Sequence, residues 1–149
     1  MYTIEEFDNA KTRVLKYVLY KKRTEKEIRQ KFELAIDEIL LDDVIEELKQ
    51  IGYISDENYI QRAVNEFIAL KNLSLKEIKY KLLTKGLNNS IIDEYFSNHT
   101  EELEEYEKNS IRNILNKKNG LMQIEEITQF LVKKGYKSDN IKEILSEVE

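Results

Sequence analysis

Apolar residues recur along this chain at spacings of three and four rather than two, so they form stripes on helices and not alternate faces of strands. Followed from end to end, the spacing predicts about nine helices, over residues 8–21, 25–34, 38–51, 57–71, 75–85, 90–97, 102–118, 124–134 and 139–148. Their ends are marked as well. Each of the four glycines precedes an apolar residue (Gly52-Tyr53, Gly86-Leu87, Gly120-Leu121, Gly135-Tyr136), the pattern of a left-handed helix stop whose next side chain folds back onto the last turn. Thr24 to Glu27 and Ser74 to Glu77 read as capping boxes, in which hydroxyl and glutamate satisfy each other's free backbone donors.

The second, fifth and eighth of these helices align with one another. With Ile28, Ile78 and Ile127 superposed, the residues four before are Thr24, Ser74 and Gln123, and those four after are Phe32, Leu82 and Leu131. The offsets are 50 and 49 residues, so three helices make one repeat that buries its apolar stripe against its neighbours. The expected architecture is an elongated, all-α array of three tandem three-helix units, at 1–53, 54–100 and 101–149. Gly52, Gly86 and Gly120 are also spaced by 34, the period of a tetratricopeptide array, but they would close the third, second and first helices of successive units. That spacing is coincidental.

Composition narrows the function. Among 149 residues there is no proline and no cysteine, which removes sheet punctuation, disulfides, thiolate nucleophiles and cysteine-bound metals. No uncharged run approaches a membrane span, and Met1 to Asp8 carries acids rather than the basic start of a signal peptide, so a cytoplasmic protein is expected. The lone histidine, His99, lies in a polar segment with no second ligand at metal spacing and is expected to be an exposed loop residue. Acid pairs such as Asp42-Asp43 point about 100° apart on a helix and form no shared acid/base site. The chain therefore offers no catalytic residue, no metal site and no cofactor site, and an enzyme is not expected.

Several stretches resemble the RecX family. Val14 to Phe32 is similar to that family's opening, an apolar helix running through a basic turn into a Thr-capped helix. Val44 to Tyr59 resembles its helix, Gly-apolar stop and acidic-aromatic restart, and Ser74 to Gly86 resembles the second unit's equivalent of the first stretch. Departures are Ala35-Ile36 in place of Lys-Gly, Ser55 in place of Asp, Ile60 in place of Ala and Gln123 in place of a hydroxyl cap. The resemblance implies a non-enzymatic, monomeric modulator that lies along the RecA filament on single-stranded DNA. It would suppress recombinase, ATPase and coprotease activities, touching the DNA weakly or indirectly.

Charge is segregated in a way that fits such a partner. The net charge of −5 resolves into +6 over residues 10–35, −7 over 36–66, +4 over 71–86 and −7 over 87–107. Local potential can meet a phosphate backbone or an acidic protein groove despite a negative total. Lys21, Lys22, Arg23, Lys26 and Arg29 are the leading contact candidates, followed by Lys76, Lys79 and Lys81. Solvated helix faces are the competing reading. Tyr17, Tyr20, Tyr80 and Tyr136 lie near these bases and are expected to pack at the core boundary rather than to stack on nucleobases. The alternative to a RecA modulator is a helical-repeat scaffold for another acidic protein; a free-standing nucleic-acid binder is a third reading, which the net charge of −5 disfavours.

Overall fold

The computed structural model describes residues 1–148. These residues form an all-α fold of nine helices: α1 (Ile4–Tyr20), α2 (Glu25–Phe32), α3 (Glu38–Ile51), α4 (Asp56–Leu70), α5 (Leu75–Thr84), α6 (Asn89–Asn98), α7 (Thr100–Lys118), α8 (Ile124–Lys134) and α9 (Ser138–Glu147). Every predicted helix is present, and the largest shift in bounds is at the start of α1. Thr3 caps that helix early, its hydroxyl oxygen accepting from the Glu6 amide at 3.1 Å.

Buried apolar residues gather in three clusters. The first draws on α1, α2 and α3, the second on α4, α5 and α6, and the third on α7, α8 and α9. Ile28, Ile78 and Ile127, the superposed positions of the repeat, are 0%, 0% and 1% exposed, so each middle helix presents the same residue to its cluster. Full burial of each such side chain contributes roughly 1.5–3 kcal/mol. The longest helix, α7, serves two clusters, placing Leu103 and Tyr106 in the second and Ile111, Ile114 and Leu115 in the third.

The helix stops follow the glycine pattern only in part. Leu87 and Tyr136 fold back and are buried, but Tyr53 and Leu121 stay exposed. After Gly52 both the Tyr53 and Ile54 amides return to the Leu48 carbonyl, so Ile54 turns inward instead. After α7 the Leu121 and Met122 amides return to Lys118, and Gly120 sits inside that turn, where Met122 reaches the core. His99 is likewise no free loop residue: it alone separates α6 from α7, its ring stacks on Tyr95 at 4.0 Å, and Nδ1 lies 2.8 Å from the Tyr95 carbonyl oxygen.

The middle helices meet end to end, and their capping boxes make the joints. Thr24 Oγ1 accepts from the Glu27 amide within its own box and donates to the Lys85 carbonyl at the end of α5, at 2.6 Å. Ser74 Oγ repeats this, accepting from Glu77 and donating to the Lys134 carbonyl of α8 at 2.7 Å. A hydroxyl can do both because it carries one hydrogen and two lone pairs. The positive end of one helix thereby faces the negative end of the next.

Each joint sets a lysine stem against a left-handed helix-stop glycine, most tightly at Gly86. A Cβ on Gly86 would stand 2.7 Å from Lys26 Cβ, and one on Gly135 would stand 3.0 Å from Lys76 Cδ. The departures at the outer ends of the series follow from this. Ile36 takes the aligned position after α2, where it is buried in the first cluster, and Gln123 at the start of α8 makes no side-chain cap bond.

Candidate partner-binding surface

The joints determine where the basic side chains stand. Aligned positions carry Lys21 and Lys71, Lys26 and Lys76, Arg29 and Lys79, and Lys31 and Lys81, whereas α8 carries Glu125, Thr128 and Phe130 in the last three places. At these three positions basic side chains repeat through α2 and α5 and are missing from α8, whose bases, Lys133 and Lys134, lie in its last turn.

The eight residues singled out by sequence fall into three kinds. Lys21, Lys22 and Lys81 are exposed and make no ion pair among the described residues. Lys21 and Lys22 line a groove of about 380 Å³ between the end of α1 and α4, together with Tyr20, Tyr59, Arg62, Ala63 and Glu66. Lys26 and Lys76 lay their aliphatic stems across Gly86 and Gly135 while remaining exposed, so each is both part of a joint and a surface cation. Arg23, Arg29 and Lys79 are engaged. The Arg23 guanidinium lies 4.2 Å over the Tyr17 ring, and Lys79 Nζ lies 4.7 Å over Phe96.

Arg29 is bound between two carboxylates, Asp42 and, at 3.0 Å, Glu25. The Asp42 hydrogen bond, helped by Glu25 and opposed by burial, holds its pKa above the ordinary value. Burial works against ionisation of Glu25, but hydrogen bonds from Lys49 and Arg29 outweigh it and hold its carboxyl below the usual range. Lys26 and Arg29 border a second, mixed-charge groove with Glu25, Lys49, Asp56 and Glu57. The candidates therefore lie on more than one concavity: Lys21 and Lys22 face the α1–α4 groove, and Lys26 and Arg29 face the other.

Tyr17 and Tyr136 pack as expected, but Tyr20 and Tyr80 are 85% and 67% exposed. Both lie on outer helix faces, turned away from their clusters. Arg13, Lys16 and Lys31 also stand exposed without an ion pair among the described residues, although they were not among the eight. The signal was present in the sequence: Arg13, Lys16, Tyr17 and Tyr20 fall at i, i+3, i+4 and i+7, one face of α1.

The second joint is more heavily tied than the first. Glu107, fully buried, accepts from the Leu75 amide at 2.8 Å, the Lys137 amide at 2.9 Å and Asn140 Nδ2 at 3.0 Å. Tyr106 donates to the Leu73 carbonyl, Ser110 and Asn113 donate to that of Lys71, and Tyr136 shares a 2.6 Å bond with Ser110. Burial pushes the Tyr136 phenol well above its ordinary pKa. At the first joint, Asp56 accepts from the Glu25 amide at 3.0 Å in the place that Glu107 takes at Leu75. No group of metal-ligating side chains is found among the described residues, and no helix among them is long and apolar enough to cross a membrane.

Relatives and solved structures agree on one kinship. The chain is 32% identical over 157 aligned residues to the regulatory protein RecX of Clostridium acetobutylicum, covering 97% of this chain and 72% of the relative. It is 31% identical over 154 residues to that of Clostridium beijerinckii, covering 97% and 70%. Among solved structures, RecX from Lactobacillus salivarius matches with a TM-score of 0.81 at 25% identity, over 97% of each chain. No protein-family model matches the chain.

Proposed function

Because the chain belongs to the RecX family of regulatory proteins, we propose that it binds the RecA filament on single-stranded DNA and inhibits its recombinase, ATPase and coprotease activities in DNA repair, homologous recombination and the SOS response. It does so in the cytoplasm, as a monomer, by binding alone. The observation that carries this reading is the repetition of exposed bases through two stacked helices, Lys26 with Lys76 and Lys31 with Lys81, beside the unpaired Lys21 and Lys22. A filament offers the same acidic surface at regular intervals, and an array with its bases in register can meet it at several of them. On this reading the segments 1–53, 54–100 and 101–149 are the modules, the first two supplying the bases in register and the third extending the contact with bases at other positions.

The test follows RecA ATPase on single-stranded DNA as this protein is added below stoichiometric ratio. Inhibition that weakens with salt is the expected outcome, since exposed charges are screened within about 10 Å at 0.1 M ionic strength. An unchanged rate at both low and moderate salt refutes the reading. Charge reversal at Lys21 and Lys22 together should relieve inhibition, whereas Lys142→Glu, at an exposed position of α9, should not; equal effects would show that only bulk charge matters.

A further inference from the structure

The end of α1 carries an exposed aromatic side chain, Tyr20, that the regulatory reading does not use. Tyr20, the last residue of α1, is 85% exposed and stands on the crest between two basic concavities. On one side is the α1–α4 groove with Lys21, Lys22, Tyr59, Arg62 and Glu66, of about 380 Å³. On the other is an apolar depression of about 390 Å³ lined by Tyr17 and Phe32, with Arg13, Lys16 and Lys31 around it. Of these bases only Arg62 has a carboxylate partner among the described residues, Glu66 at 3.7 Å.

The aromatic floor holds the bases in place. Arg23 lies 4.2 Å and Lys31 5.7 Å from the Tyr17 ring, Arg13 lies 5.9 Å from Phe32, and Phe32 meets Tyr17 edge-on at 5.6 Å. The faces of Tyr17 and Phe32 are thereby occupied. No ring or cation stacks on Tyr20 among the described residues. We infer that Tyr20 is a stacking platform for one base of a single-stranded nucleic acid, whose flanking phosphates are taken by Arg13, Lys16 and Lys31 on one side and by Lys21 and Lys22 on the other.

The chemistry selects this ligand over an acidic polypeptide. The face of an aromatic ring carries the negative lobe of its quadrupole, so it gains nothing from a carboxylate, whereas every nucleobase has a flat π-face that stacks on it. A free tyrosine flanked by cations on both sides suits a chain that alternates flat groups with negative ones. The site shares Lys21, Lys22 and Lys31 with the filament reading, but Tyr20, Arg13 and Lys16 belong to it alone, so their substitution tests it separately.

The experiment uses the full chain without recombinase and a labelled oligothymidylate about twenty nucleotides long, read by fluorescence anisotropy. Tyr20→Ala should weaken binding roughly tenfold, Tyr20→Phe should leave it intact, and on an abasic strand of equal length Tyr20→Ala and the unaltered protein should bind alike. Arg13→Gln and Lys31→Gln should weaken binding to both strands and lower the salt slope by about one each. Tyr20 lies outside the core, so its removal should leave the melting temperature unchanged. Absence of binding at low salt, full affinity in Tyr20→Ala, or displacement of the strand by polyglutamate as readily as by unlabelled oligothymidylate would each overturn the assignment. Oligonucleotide binding that persists while RecA is unaffected would sink the filament reading and leave this one standing.

Discussion

Replacing Glu107 by alanine measures what the second joint is worth. The carboxylate is fully buried without a cationic partner, and three donors compensate it: the Leu75 and Lys137 amides and Asn140 Nδ2. Leu75 is the first residue of α5 and Lys137 is the N-cap of α9, so two positive helix ends converge on one negative charge. Alanine leaves the buried Leu75 amide and the part-buried Lys137 amide without an acceptor, at up to about 1–3 kcal/mol each, while Asn140 keeps Glu104 at 2.9 Å. Relief of the buried charge offsets part of this, so the net loss should be about 3 kcal/mol. For a chain of this size that corresponds to a fall in melting temperature of about 10 °C.

Glu107→Gln should be intermediate. One amide oxygen can still serve Lys137 and Asn140, but the NH₂ group would then face the Leu75 N–H, donor against donor. Thermal melts by circular dichroism give the order of the three proteins, and hydrogen exchange at Leu75 and Lys137 locates the loss. A Glu107→Ala melt within about 2 °C of the unaltered protein would refute the assignment of Glu107 as the tie between the second and third sets of helices.

Two further perturbations test the joints and the ion pairs. Gly86→Ala and Gly52→Ala both strain a left-handed residue, but only the former adds a Cβ in collision with Lys26; denaturant titration should show it the less stable by at least about 1 kcal/mol, and equal losses would mean that the joint is not closely packed. Lowering the pH should destabilise the protein in part through Glu25. Its folded pKa lies below the ordinary 4.5, so its contribution is complete above that value and is lost as pH falls through the lower folded one. Glu25→Gln should therefore flatten the fall in melting temperature between about pH 5 and 3, and an unaltered acid slope would show that Lys49 and Arg29 do not stabilise the carboxylate.

Much of the fold was legible because helix signals are local. The capping boxes at Thr24 and Ser74, the stops at Gly86 and Gly135 and the aligned isoleucines each depend on residues within one turn or on a fixed offset. The candidate surface was less legible. Lys21 and Lys22 could be read as exposed from their place in a basic turn, but Arg29 is drawn to Asp42, thirteen residues away, and Lys79 to Phe96, seventeen residues away on α6. Tyr20 and Tyr80 defied the packing expectation because exposure depends on which side of the helix its neighbours cover.

By itself the sequence determined the helices, their caps and stops, the repeat of about 50 residues and the segregation of charge, since each arises from backbone preferences and periodicities acting over a few residues. Tertiary structure alone decided how those features are used. It turned the hydroxyls of two capping boxes into bonds between successive helices, made Gly86 and Gly135 contact points for lysine stems, and singled out Glu107 among the seven acids of residues 87–107 as the buried one. The physical reason is separation along the chain. Glu107 meets its amide partners across 32 and 30 residues, and Thr24 meets Lys85 across 61, distances over which no local pattern in the sequence carries information.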